Sequence, residues 1–183
     1  MSPPVEQQIV ISGVGGQGVL FVTRLLAEAA IRLDLPVLTS ETHGMAQRGG
    51  TVISHLKVGR FTSPLIRRGR ADGLIALKVE NLAGGHDTYL KPGGWTVVNN
   101  PEPPDHPADG PVRAIDADAV AERLGNPRAV NLIVLGYALS RPDPPLFCDP
   151  DTVAAVIFHE LADAPRRREQ ALDALWAGAG GER

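Results

Sequence analysis

The hydrophobic positions along the chain change period several times, and each change marks an element. Residues 8–12 (QIVIS) form a β-branched run that ends at a glycine, which predicts a buried first strand. Beyond the glycines, Val19, Val22, Leu26, Ala29, Ala30 and Leu33 recur at helical spacing, which predicts a helix over about residues 17–33. Residues 36–40 (PVLTS) read as a second strand. Strand, glycine turn, helix and strand together make a βαβ unit with a right-handed crossover. Residues 51–58 (TVISHLKV) alternate apolar with polar, and 72–77 and 95–99 are short apolar runs, so all three read as strands. A short helix is expected over 80–90, a Pro-Gly turn over 91–94, and a last strand over 112–115. Helical patterns then fill 117–124, 129–140, 150–164 and 165–177, with Pro150 and Pro165 suited to first helical turns.

The polar intervals complete the outline. Residues 41–50 (ETHGMAQRGG) and 60–70 read as loops. Residues 101–111 (PEPPDHPADGP) hold five prolines in 11 positions. The missing N–H groups exclude a helix or a central strand there, leaving an extended connector. Strands and helices alternate first, and helices accumulate afterwards. This predicts a single α/β domain over 1–183: a three-layer arrangement of a mainly parallel sheet with flanking helices, opened by a Rossmann-like first βαβ unit.

Composition narrows the chemistry. The chain has one cysteine, Cys148, which excludes an internal disulfide, a CxxC pair and a cysteine-ligated iron–sulfur cluster built by this chain. It sits in a proline-rich loop with no nearby base to activate it. The five histidines, His43, His55, His86, His106 and His159, lack HxxxH or HExxH spacing, so no metal site is expected. With 21 acidic against 18 basic residues the net charge is −3, which argues against a general nucleic-acid binder. No apolar run approaches the roughly 18 residues of a membrane span, and the first eight residues carry no positive charge, so a cytoplasmic protein without membrane attachment is expected.

Two segments carry candidate chemistry. Gly13-Val14-Gly15-Gly16-Gln17-Gly18 lies between the first strand and the first helix, where a backbone turn and the positive end of a helix dipole favour a phosphate or pyrophosphate. Close packing of helix on strand would use the same glycines without any ligand. Glu41 follows 23 positions after Gly18, near the spacing at which a dinucleotide-binding unit places an acid for the ribose hydroxyls, so an NAD(P)- or FAD-binding protein is a second reading. The second segment is His43-Gly44-Met45-Ala46-Gln47-Arg48-Gly49-Gly50. His43 suits hydrogen bonding or proton transfer, and Arg48 suits a carboxylate or phosphate. An internally bonded surface loop explains that segment equally well. The runs at Arg67, Arg68 and Arg70 and at Arg166 to Arg168 read as solvated faces or partner contacts.

The two segments in this order, with SPLIRRGRADGLIAL and YLKPGGWTVVNN behind them, resemble the gamma subunit or domain of 2-oxoacid:ferredoxin oxidoreductases; the HGMAQRGG stretch is most similar to the gamma-type subunit of the indolepyruvate enzymes. The resemblance covers roughly residues 8–100 and the helix near Asn131. It implies a subunit, inactive alone, of a complex that oxidatively decarboxylates a 2-oxoacid, with indolepyruvate or another aryl pyruvate favoured, to an acyl-coenzyme A. Thiamine diphosphate, magnesium and the iron–sulfur clusters are then expected on partner subunits, and ferredoxin is reached through the complex. This chain lacks a GDG segment for the thiamine site, since Ala precedes both Asp72-Gly73 and Asp109-Gly110. The resemblance places coenzyme A by Gly13, Gly15, Gly16, Gln17 and Gly18. It turns the His43–Gly50 segment toward the partner near the thiamine site and so adds Met45, Arg48, Gly49 and Gly50 to the cofactor-facing set, with His43 and Arg48 as the candidate catalytic groups; Glu41 joins that set on its spacing alone.

Overall fold

A computed structural model describes residues 5–43, 50–105, 109–141 and 143–180, with Thr42 and His43 described by backbone alone. Six strands form one sheet: β1 (Gln7–Val14), β2 (Val37–His43), β3 (Thr51–Val58), β4 (Ala71–Ala76), β5 (Leu90–Asn99) and β6 (Val112–Ile115), in the order β2-β3-β1-β4-β5-β6. The helices are α1 (Val19–Arg32), α2 (Glu80–Ala83), α3 (Ala117–Arg123), α4 (Val130–Ser140), α5 (Pro150–Glu160) and α6 (Pro165–Ala179). Pro150 and Pro165 occupy first-turn positions, where the missing N–H has no intrahelical partner to lose.

The sheet is mixed. β1 pairs parallel with β4, β4 with β5, and β5 with β6, while β3 runs antiparallel to both β1 and β2. The strands of the first βαβ unit, β1 and β2, therefore run the same way but are not neighbours, because β3 returns between them. Hydrophobic period alone does not encode which strand lies beside which. The expected turn at 91–94 is absorbed into the start of β5, where Gly93 takes φ 75° and the register with β4 shifts between Ala71 and Gly73.

Alternation along the strands divides the core in two. Ile9, Ile11, Leu56, Val58, Ile75, Trp95 and Val97 face the long helices α1, α4, α5 and α6. Val10, Leu74, Ala76 and Val98 face a thinner layer, built from Ile66 of the segment after β3, Leu82 of α2, and Tyr89 of the 3₁₀ turn His86–Tyr89. His55 of β3 is fully buried on this second face, with its ring edge-on to Tyr89 at 5.3 Å between centroids. Among the described residues neither of its nitrogens has a hydrogen-bond partner. Burial, and secondarily the charge of Lys57, holds its pKa below the ordinary histidine value. His86 is lowered by burial against the opposing pull of Asp87.

α4 is apolar on every side and runs between the sheet and α6. The two helices touch backbone to backbone: a Cβ at Gly136 would land on the Leu175 carbonyl oxygen, and a Cβ at Gly178 on the Ile133 carbonyl oxygen. No side-chain rotation relieves either clash, so only glycine fits at both positions.

Two outcomes follow from this packing. Gly178→Ala forces α4 and α6 apart, and despite the better helix propensity of alanine it lowers stability by about 2 kcal/mol, read as a fall in the denaturant midpoint. His55 has a folded pKa below its unfolded value, so its contribution is fully present above about pH 6.5 and is lost as pH falls below that toward the folded pKa. His55→Phe keeps the ring against Tyr89 and removes the titration. Its stability profile between about pH 7 and pH 5 is flatter than that of the wild type, and an equally steep profile would assign the acid sensitivity elsewhere.

Candidate functional site

The turn after β1 is closed by its own hydrogen bonds. The Gln17 N–H donates to the Val14 carbonyl at 3.0 Å, and the Gln17 side chain folds back so that Oε1 accepts the Val14 N–H at 2.8 Å. Gly16 (φ 95°) and Gly18 (φ 82°) hold the left-handed backbone that favours glycine. Gly18 is also the N-cap of α1 and supplies no side-chain cap, so the first-turn N–H groups of the helix are left for another acceptor.

The glycines divide between the two purposes the sequence allows. A Cβ at Gly13 would stand 2.7 Å from Val19 Cγ2, and one at Gly18 would strike the Asn131 side-chain amide, so these two permit close packing. A Cβ at Gly16 would meet nothing within 4 Å. Gly16 faces open space, and its backbone is what that space presents.

The structure also joins the two sequence motifs. The Gly15 N–H donates to the Gly50 carbonyl at 2.9 Å, so the glycine turn is tied to the end of the second segment. His43 closes β2 opposite Val52. Met45, Arg48 and Gly49 lie outside the described residues. Glu41 is exposed on β2, opposite Ser54 of β3. With β3 interposed, it stands two strand spacings, roughly 10 Å, from β1. A dinucleotide-binding unit carries its acid on the strand next to the first, so Glu41 is not brought to the glycine turn as that reading requires.

Beside the turn lies a cavity of about 340 Å³, lined by Gly16, Gln17, Gly18, Leu77, Asp118, Pro127, Arg128, Val130 and Asn131. Its position follows from the topology. β1 and β4 are adjacent and parallel, but the chain leaves β1 toward β2 on one side and β4 toward β5 on the other. Open α/β sheets form a crevice at the carboxyl ends of such a strand pair. The Leu77 N–H donates to the Ser12 carbonyl at 2.8 Å and holds the two strand ends together there.

The far wall comes from residues that the sequence analysis did not single out as site residues. Asn99, at the end of β5, accepts the Ala117 N–H on Oδ1 at 3.0 Å and donates from Nδ2 to Asp118 Oδ2 at 2.8 Å. Asp116 caps α3 by accepting the Ala119 N–H at 2.9 Å, and this fixes the helix that presents Asp118. Asn131 begins α4 and accepts the Leu132 N–H on Oδ1 at 2.8 Å, which leaves its Nδ2 against Gly18. Arg128 is exposed at the lip, on the 3₁₀ turn Pro127–Ala129. One signal for Asn131 was present in the sequence: a polar amide heading an otherwise apolar helix.

The cavity offers both signs of charge. The start of α1 and Arg128 favour an anion, whereas Asp118 favours a hydrogen-bond donor. That combination suits a ligand bearing phosphate together with hydroxyl or amide groups better than a bare anion. Redox or nucleophilic chemistry finds no group in Cys148, which is buried before α5; burial first, and the Asp149 charge second, push its thiol up to about 12, so it stays protonated. Among the described residues no group of three histidine, cysteine, aspartate or glutamate side chains is arranged to hold a metal ion, and no helix is long and apolar enough to cross a membrane.

Comparison with known proteins identifies the family and the fold. Residues 8–179 match the family model described as pyruvate ferredoxin/flavodoxin oxidoreductase. The indolepyruvate oxidoreductase subunit IorB of Archaeoglobus fulgidus is 36% identical over 148 residues, covering 70% of this chain and 73% of that one. IorB of Thermococcus kodakarensis is 33% identical over 164 residues, covering 77% and 80%. Among solved structures, the pyruvate oxidoreductase subunit PORC of Thermotoga maritima superposes with a TM-score of 0.79 at 18% identity, covering 96% of both chains. A 2-oxoglutarate:ferredoxin oxidoreductase of Magnetococcus marinus, solved with 2-oxoglutarate, coenzyme A and succinyl-CoA bound, superposes with a TM-score of 0.80 at 23% identity; this chain spans 96% of its own length but only 30% of that chain. At those identities the superpositions speak for the fold, and the family model and the IorB relatives speak for descent: the chain belongs to the pyruvate ferredoxin/flavodoxin oxidoreductase family.

Proposed function

We propose that this chain is the gamma-type subunit of a thiamine diphosphate-dependent 2-oxoacid:ferredoxin oxidoreductase complex, and that it forms the coenzyme A side of the site. Indolepyruvate or another aryl pyruvate is the substrate class that the IorB relatives support. The observation that carries the site assignment is the cavity at the start of α1, where Gly16 leaves open space and the Gly15–Gly50 hydrogen bond brings both glycine segments together.

The residues present fit coenzyme A. Its phosphates find the Gly16–Gly18 backbone, the first turn of α1 and Arg128, while its hydroxyl and amide donors find Asp118, which Asn99 holds in place. The role expected of Arg48 from the sequence, contact with a carboxylate or phosphate, belongs to the same proposal. Thiamine diphosphate, magnesium and the iron–sulfur clusters belong to partner subunits, since this chain has a single cysteine and no cluster ligand set. When bound, thiamine diphosphate supplies the decarboxylation chemistry; this chain binds and orients the acyl acceptor. The dinucleotide reading is not favoured, because β3 separates Glu41 from the glycine turn.

The test is reconstitution. The isolated chain shows no 2-oxoacid oxidation, and activity with indolepyruvate and ferredoxin appears when it is combined with the thiamine diphosphate-binding partner. Oxidation by the purified chain alone would overturn the assignment. Gly16→Asp has room for its side chain but strains the φ 95° backbone, so Gly16→Ala, with the same strain and no charge, is its control; in the assembled complex the KM for coenzyme A rises roughly tenfold or more in Gly16→Asp relative to Gly16→Ala. Unchanged coenzyme A saturation in that complex would remove the ligand from the glycine turn.

A further inference from the structure

Lys57 is a cation with a covered stem, and among the described residues no carboxylate pairs with it. It lies on β3, on the sheet face turned away from the long helices, and only 8% of it is exposed. Its stem is covered, and its ammonium reaches the surface above the Phe61 ring, 5.1 Å from the centroid. Among the described residues it has no carboxylate partner. Along its row of the sheet, Leu38 stands opposite on β2 and Gln8 on β1, and the Gln8 amide donates to the Arg70 carbonyl at 3.2 Å. The next residue in that row, Asp72, is engaged by Lys91 and by the Gln8 N–H. Burial first, and the charge of Arg67 second, lower the pKa of Lys57.

With its stem covered and its head held over an aromatic face, Lys57 presents an ammonium fixed in place at the surface, open to a counter-charge from outside the described residues. The surroundings deepen the imbalance. Residues 57–70 hold Lys57, Arg60, Arg67, Arg68 and Arg70 and no aspartate or glutamate, in a chain whose net charge is −3. The four arginines are exposed, and Leu65 beside them is 50% exposed. Arginine mixed with exposed apolar side chains around a half-covered charge is the composition of a protein interface. The patch sits at the start of β1, at the opposite end of the strand from the glycine turn and roughly 20 Å away along it, so it is a separate surface.

We propose that the Lys57 ammonium is a docking cation, and that an aspartate or glutamate of a partner subunit seats over Phe61 against it, with Arg67 as second donor and Leu65 packed at the rim. The occupant is a carboxylate presented by a protein, because one fixed ammonium with an arginine-and-leucine rim matches a single acidic side chain on an apolar surface. The proposal rests on the chain working inside a complex, as argued above.

Lysine chemistry on the assembled complex tests it directly, because Lys57, Lys78 and Lys91 are the only lysines and each is read separately by mass spectrometry. In the complex with the thiamine diphosphate-binding subunit, acetylation of Lys57 slows at least tenfold relative to the isolated chain. A zero-length carbodiimide joins Lys57 to an aspartate or glutamate of that subunit. Lys57→Met keeps the stem over Phe61 and drops the charge; assembly weakens tenfold or more and becomes less sensitive to salt, while the isolated variant is as stable as the wild type or more so. Equal acetylation in the free and assembled chain, with no cross-link, overturns the docking role. An active complex with Lys57 unprotected overturns only this proposal, whereas failure to associate at all overturns the subunit reading with it. Inorganic phosphate at submillimolar concentration that raises the melting temperature of the isolated wild type, but not of Lys57→Met, would make this a small-anion site and refute the carboxylate.

Discussion

The backbone contact between α4 and α6 is the constraint on which the site depends. α4 is apolar all round and must be covered on every side, so α6 has to lie against it at the distance only glycine allows, at Gly136 and Gly178. That contact fixes the axis of α4 and hence its first residue pair, Val130 and Asn131. Asn131 in turn fills the space left by the missing side chain of Gly18. The position of the α1 N-terminus and the back wall of the cavity are therefore set by a helix crossing more than 100 positions further along the chain. The turn's own hydrogen bonds set the backbone at Gly16, and the α4 crossing sets the wall that faces it.

A second constraint acts through β3. By returning between β1 and β2 it opens the first βαβ unit, moving Glu41 away from the glycine turn and bringing Gly50 onto Gly15. One insertion thus weakens the dinucleotide reading and joins the two motifs. The same strand carries His55 and Lys57 onto the thinly covered face, where, among the described residues, one has no partners for its nitrogens and the other no carboxylate beside it. The two faces of the sheet have different tasks: one is filled by four long helices, while the other holds polar groups under a thin layer with a basic surface beside it.

Much of the fold was legible in the sequence because each element carries its own period. The strands over 51–58 and 112–115 were placed as they occur, and the helix starts at Pro150 and Pro165 follow from a ring that cannot donate. Boundaries slipped where the local signal was weak. The helix expected over 80–90 is one short turn, α2, followed by a separate 3₁₀ turn, because the glycine pair at 84–85 interrupts it, with Gly85 in the left-handed region. The helix expected to reach residue 164 ends at Glu160.

The candidate site divides along the same line. The sequence by itself determined the glycine turn and its helix, since both are local: residues within about twenty positions set the backbone conformation and the dipole. It also determined that this chain carries no cluster ligands, since a single cysteine is a matter of counting. Only the tertiary structure decided that Asp118, held by Asn99, completes the cavity with Arg128 and Asn131, that Glu41 stands apart from it, and that Lys57 has no carboxylate beside it among the described residues. Strand order and helix crossings bring together groups up to more than a hundred residues apart, and no periodicity within a strand or helix records which of its neighbours in space it will meet.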